Sequence, residues 1–134
     1  MKVIIAGPRD YHDYVSLLVA IHLCPFDISE VVSGRAKGVD TLGERWAKDY
    51  GVPVKPFPAD WNRWGNSAGP KRNKQMAEYA DAAILLWDGH SRGTRSMRMI
   101  AEGERIGLFV YGIRGYRPRP ESRYAHLCGP AGRV

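Results

Sequence analysis

A chain of 134 residues, 44% apolar and 25% charged, suits one globular domain with a core that needs no covalent staples, which excludes disorder as the main state. Two cysteines, Cys24 and Cys128, are too few for a disulfide scaffold or a structural zinc site. The net charge of +6 is uneven: residues 112–134 hold five arginines against Glu121, a net of +4 that leaves +2 for the rest. That basic extension, with Pro118 and Pro120, reads either as a solvated tail or as a contact for a polyanion.

Strands and helices alternate along the sequence. Lys2–Ala6 is a short apolar run stopped by Gly7-Pro8, the pattern of a buried strand and too short for a signal peptide. No apolar run approaches the ~20 residues of a membrane span, so a reducing cytoplasm with no membrane partner is expected. Asp10 is placed to cap a helix carrying Tyr14, Leu17, Leu18 and Ile21, which Pro25 ends. Glu30-Val31-Val32 forms the second strand, closed by Ser33-Gly34. Val39, Leu42, Trp46 and Tyr50 stripe the next helix, with Gly51 as its C-cap. Val52–Phe57, broken by prolines, predicts a peripheral strand.

Residues 60–69 have turn chemistry and read as a loop carrying Trp61 and Trp64. Pro70 then opens a helix to about Tyr79, which puts Arg72 and Asn73 in its first turn. Ala82–Trp87 is a fully apolar strand, Gly93–Ile106 the last helix, closed by Gly107, and Leu108–Tyr111 the last strand. Five strands separated by helices predict an α/β, doubly wound parallel sheet of the Rossmann-like kind, in an order such as 3-2-1-4-5. The domain is expected to span residues 1–111, followed by the basic extension 112–134.

In such sheets ligands bind beyond the carboxyl ends of the strands. Four clusters fall there: Gly7-Pro8-Arg9; Ser33-Gly34-Arg35-Ala36-Lys37-Gly38-Val39-Asp40; Asp60-Trp61; and Asp88-Gly89-His90-Ser91-Arg92-Gly93-Thr94. Their glycines beside Arg, Lys, Ser and Thr suit an anion. Ser91, Arg92, Gly93 and Thr94 open a helix, so free N–H groups, hydroxyls and a guanidinium can converge on a phosphate, although a capped glycine loop explains them as well. Gly34 and Gly38 allow a tight turn, and Asp40 either caps its helix or accepts from a ribose. Arg35 and Lys37 either bind anions at the mouth or are solvated.

Cations in a first helical turn, as placed for Arg72, cost roughly a few tenths of a kcal/mol without a compensating anion. Trp61 and Trp64 either stack on a base or pack the loop down. Asp88 suits acid–base work or a ribose, with a plain turn aspartate as the competing explanation. His12, His22, His90 and His126 form no metal-ligand pattern, and Walker A, GxGxxG and GxSxG motifs are absent, so neither metal nor cofactor is expected. Cys24, before Pro25 at a helix end, reads as a buried thiol rather than a nucleophile.

Together these residues resemble known proteins. Ser33-Gly34-x-Ala36-x-Gly38-x-Asp40 resembles the glycine loop of the DNA-processing protein A family. Gly69-Pro70-x-Arg72-Asn73-x-x-Met76-Ala77, Ala80-Asp81-Ala82 and Gly93-Thr94 resemble the core of the Lonely Guy phosphoribohydrolases. Both families belong to the SLOG superfamily, and the opening strand with Gly7-Pro8-Arg9 and the Trp87-Asp88-Gly89 step is most similar to its YspA-like branch, in which Pro8 replaces a serine. The resemblance, over residues 2–111, implies a domain for nucleotides or nucleotide-derived metabolites such as an ADP-ribose-like molecule, in bacterial and phage conflict. It also implies a homodimer or higher homo-oligomer.

Arg72 falls on the Lonely Guy catalytic arginine, while the position of the catalytic glutamate is Met97, which cannot serve as acid or base. The resemblance therefore implies a binding protein first. A nucleotide N-glycosidase using Arg72 and Asp88 (or Asp60) is the alternative, and single-stranded nucleic acid on the tryptophans and basic tail is a third.

Overall fold

The computed structural model describes residues 1–119. Its elements in chain order are β1 (Lys2–Ala6), α1 (Tyr14–Leu23), β2 (Glu30–Ser33), α2 (Val39–Asp49), β3 (Val54–Pro56), α3 (Trp61–Trp64), a 3-10 turn Gly65–Ser67, α4 (Ala68–Tyr79), β4 (Ala82–Trp87), α5 (Arg92–Gly103) and β5 (Gly107–Gly112). The five strands make one parallel sheet in the order 3-2-1-4-5, as the alternation of elements implied. No helix among the described residues is long and apolar enough to cross a membrane.

Alternation along each strand splits the core between the two faces of the sheet. Val3 and Ile5 of β1, with Ile84 and Leu86 of β4, meet Leu17 of α1 and Leu42 and Trp46 of α2. Ile4 and Ala6, with Ala83 and Leu85, meet Met76 of α4 and Met97 and Ala101 of α5. Every residue of β4 is buried, which explains its uninterrupted apolar run. β3 lies at an edge, where Pro53 and Pro56 cost no ladder partners beyond β2.

Several boundaries differ from the reading of the sequence. Asp13, not Asp10, caps α1, accepting from the N–H groups of Val15 (3.1 Å) and Ser16 (3.4 Å). Residues 61–67 are helical rather than a loop: Asp60 caps α3 through Arg63 N–H at 3.1 Å, and α4 begins at Ala68. Arg72 and Asn73 therefore lie in the second turn of α4, and the expected dipole penalty on Arg72 is smaller than a first-turn cation would carry. Gly107 belongs to β5, and the turn that ends α5 is made by Arg105 at φ +58°. Tyr50 is exposed and stacks on Trp46 at 5.3 Å instead of entering the core.

Packing does not stop at Tyr111, where the sequence placed the edge of the domain. Ile113 is buried, its N–H donates to the Trp87 carbonyl at 3.0 Å, and Tyr116 meets the Trp87 ring edge-on at 5.2 Å. The remainder of the basic extension, residues 120–134, lies outside the described residues.

Gly38 joins the two halves of the sheet's carboxyl edge. It sits at φ +75° before α2, and a Cβ there would come within 2.6 Å of the Arg9 backbone. Val39 N–H donates to the Pro8 carbonyl at 3.3 Å across the same junction. Gly38→Ala should therefore cost about 2 kcal/mol or more in urea unfolding, from strained φ and a backbone clash together.

Candidate functional site

A cavity of about 600 Å³ opens beyond the carboxyl ends of β1 and β4, the two strands between which the strand order reverses. The segments after β1 and β4 form two of its walls. The start of α4 and the loop into α2 close the rest, with Met76 and Met97 in the lining from the buried side.

Of the residues singled out from the sequence, Gly7, Arg9, Asp40 and Trp61 line this cavity. So do Arg72, Asn73, Asp88, Ser91, Arg92, Gly93 and Thr94. Ser33, Gly34, Gly38 and Asp60 do not: they form the frame behind the wall. The Ser33 hydroxyl donates to Glu44 Oε2 at 2.5 Å and accepts from Arg35 N–H at 3.1 Å. Arg35 turns to Glu44 at 3.0 Å rather than to the mouth, and Lys37 is exposed outside the lining.

Unlike Arg9, Arg92 and Arg114, which are exposed, Arg72 is half-buried. Its Nη1 donates to the Gly34 carbonyl and its Nε donates to Asn73 Oδ1 at 2.9 Å. Asn73 Nδ2 donates onward to Ser96 Oγ at 3.4 Å, so one chain of hydrogen bonds joins the α2 loop, α4 and α5. A Cβ on Gly34 would stand 2.5 Å from Arg72 Nη1 and 2.8 Å from Asp40 Oδ2, so only glycine lets the guanidinium close on this loop. Burial lowers the Arg72 pKa, Asp40 raises it and Arg9 lowers it. Two guanidinium charges thus bear on each other at one wall of the cavity, a strain that an anion between them would relieve.

The start of α5 supplies a second set of donors. Ser91 stands at the N-cap, yet its side chain caps no helical N–H; its Oγ lies 3.1 Å from Thr94 Oγ1 instead. The helix therefore begins with N–H groups left for a ligand or solvent, beside exposed Arg92 and Gly93. Asp88 braces this loop: its Oδ1 accepts from Ser91 N–H at 2.8 Å and His90 N–H at 2.9 Å. Burial pushes the Asp88 pKa up, but those two N–H groups and Arg114 outweigh it and hold the carboxyl below its usual range. Braced in this turn and held ionised, it is poorly suited to give a proton.

Arg114 is the site residue the sequence reading missed. It reaches the cavity from the turn after β5, at φ +54°, and its Nη1 pairs with Asp10 at 3.2 Å and Asp88 at 3.4 Å. Nothing local marked it, since it sat among tail arginines of similar surroundings. Pro8, Asp10, Ala36, His90 and Ser96 also line the cavity, brought there by their neighbours. Cys24 lies elsewhere, its thiol pKa raised by burial. Among the described residues no group of three His, Cys, Asp or Glu is placed to hold a metal ion.

Asp40 carries the clearest electrostatic signature. It accepts from Ala36 N–H at 3.4 Å, upstream of α2, and so ties the glycine loop instead of capping the helix. Burial pushes its carboxyl up to about 6, against the pull of Arg72 and of the Ala36 and Gly34 N–H groups. The folded protein then holds this proton more tightly than the unfolded chain, so its contribution to stability is complete below about pH 4 and is lost as pH rises through about 6. Urea melts should show wild type gaining stability over Asp40→Asn between pH 7.5 and 5, by about 1.4 kcal/mol. An equal pH response in both proteins would remove this assignment.

Comparison with known proteins agrees with the architecture. A model of the YspA, cpYpsA-related SLOG family (YAcAr) matches residues 1–64, which hold β1 to α3 and the glycine loop. The chain is 33% identical over 119 residues to the gene 61 protein of Mycobacterium phage D29, a match covering 81% of this chain and 93% of that relative. No solved structure matches. With its parallel five-stranded sheet and the cavity at the reversal of strand order, the chain belongs to the YspA, cpYpsA-related SLOG family.

Proposed function

We propose that this protein binds a phosphate-bearing, nucleotide-derived small molecule in the cavity and holds it without turning it over. Family membership points to nucleotide-related ligand binding or a glycosidase-like role. One observation carries the choice between them: the cavity is cationic at its walls, through Arg9, Arg72 and Arg92, and thioether at Met97, where a hydrolase of this type needs its carboxylate.

On this reading the phosphate sits against Arg92, Gly93 and Thr94 at the start of α5, within reach of the Arg9 and Arg72 charges. Asp40 and Asp88 face the ribose side as acceptors, and Trp61 offers a ring for the base. The cavity is large enough for more than a bare phosphate, which favours an ADP-ribose-like molecule. Sensing or sequestering such a signal in phage–host conflict fits a relative found in a phage. Neither a cofactor nor a metal enters this reading.

Thermal shift against AMP, ADP, ATP, NAD, ADP-ribose and cyclic ADP-ribose tests it. A bound nucleotide at about 100 times its Kd stabilises by about 2.7 kcal/mol, which is several degrees for a domain of this size. Arg92→Ala, at an exposed position, should lose most of that shift while the melting temperature of the free protein stays put. Free base accumulating over hours in the presence of protein would replace binding by hydrolysis, and no shift with any nucleotide would sink the reading.

A further inference from the structure

The helical segment between β3 and α4 is built without a core. Neither α3 nor the following 3-10 turn contains a buried residue, yet α3 spends two of its four positions on tryptophan. Trp61 is 47% exposed and Trp64 42% exposed, so nearly half of each indole is left facing solvent even where Trp61 rests against Gly69. Trp61 lines the cavity; Trp64 stands one helical turn further on, outside it. At this i,i+3 spacing the two Cβ atoms are neighbours on the helix surface, about 5–6 Å apart.

The surroundings of Trp64 are cationic. The Arg63 guanidinium lies 4.6 Å and the Lys71 ammonium 4.4 Å from its ring centroid, while Arg9 lies 5.5 Å from that of Trp61. The nearby carboxylate, Asp60, is engaged in capping α3. An apolar protein partner would have to bury Arg63 and Lys71 unpaired, at a large desolvation cost. A nucleobase on the indole, with its phosphates meeting the same two cations, satisfies both kinds of group.

We propose that Trp64, Arg63 and Lys71 form a second base-stacking subsite, and that the ligand carries two nucleobases joined through phosphate, one reaching the cavity by Trp61 and the other resting on Trp64. This deepens the nucleotide reading of the cavity and rests on it. The shared chemistry has two sources, a phosphodiester-linked dinucleotide and a pyrophosphate-linked one.

Calorimetric titration with AMP, 5′-phosphorylated ApA and diadenosine diphosphate separates the cases. At least one two-base probe should bind about tenfold or more tightly than AMP. Trp64→Ala should erase that gain and leave AMP affinity unchanged, whereas Trp64→Phe, which keeps a stacking face, should retain most of it. The tighter two-base probe identifies the linkage. Two-base probes no tighter than AMP, or a gain that survives Trp64→Ala, would overturn the subsite while leaving the cavity reading intact. If none of the three probes binds, the subsite falls; a thermal shift with ADP-ribose, NAD or another nucleotide of the panel then leaves the cavity reading standing, and silence across that panel fails both.

Discussion

Central strand β1 hydrogen-bonds to β2 on one side and to β4 on the other, and the chain leaves it in one direction before returning on the opposite flank. Helices following β1 and β2 therefore cover one face, and those preceding and following β4 cover the other. At the carboxyl edge the connections diverge, and among the described residues a cavity opens between them. The cavity is the direct product of that reversal. The strands that carry its walls, β1 and β4, are deeply buried, with Ile4, Ile5, Ile84 and Leu85 almost wholly removed from solvent.

Charge within the gap is arranged against local comfort. Arg72 is partly buried, repelled by Arg9, and held by Gly34 and Asn73 in a fixed pose. Asp40 is buried nearby and binds its proton unusually tightly for a carboxyl group. Burial is the largest cost on both groups, and the Asp40–Arg72 attraction offsets part of it. Met97 lines the cavity as a buried thioether, which offers neither a proton nor a negative charge to a developing oxocarbenium ion.

Much of the fold was legible because parallel strands buried on both faces must be apolar throughout, and Lys2–Ala6 and Ala82–Trp87 matched their runs to the residue. Boundaries set by competing local options were not. Asp10 and Asp13 are both sound caps, and the choice fell to Asp13 while Asp10 paired with Arg114, 104 residues away. Residues 61–67 carry turn-forming Asn and Gly, yet capping by Asp60 and continuation into α4 made them helical. That shift moved Arg72 out of the first turn and changed the argument for its cost, though not its place on the cavity.

The sequence by itself determined the order of elements, the sheet order and the clustering of Gly, Arg, Ser and Thr at strand ends, because these follow from hydrophobic period, chain handedness and the backbone needs of turns. Tertiary structure alone decided which of those residues share a cavity. Ser33 and Gly34 precede the cavity-lining Asp40 by only seven and six residues, yet they were drawn into the frame, whereas His90 and Thr94 both came onto the wall. Arg114 entered the site only because β5 pairs with β4 and delivers the following turn beside Asp88. Long-range pairing of this kind depends on where strands end in space, which no local pattern of residues encodes.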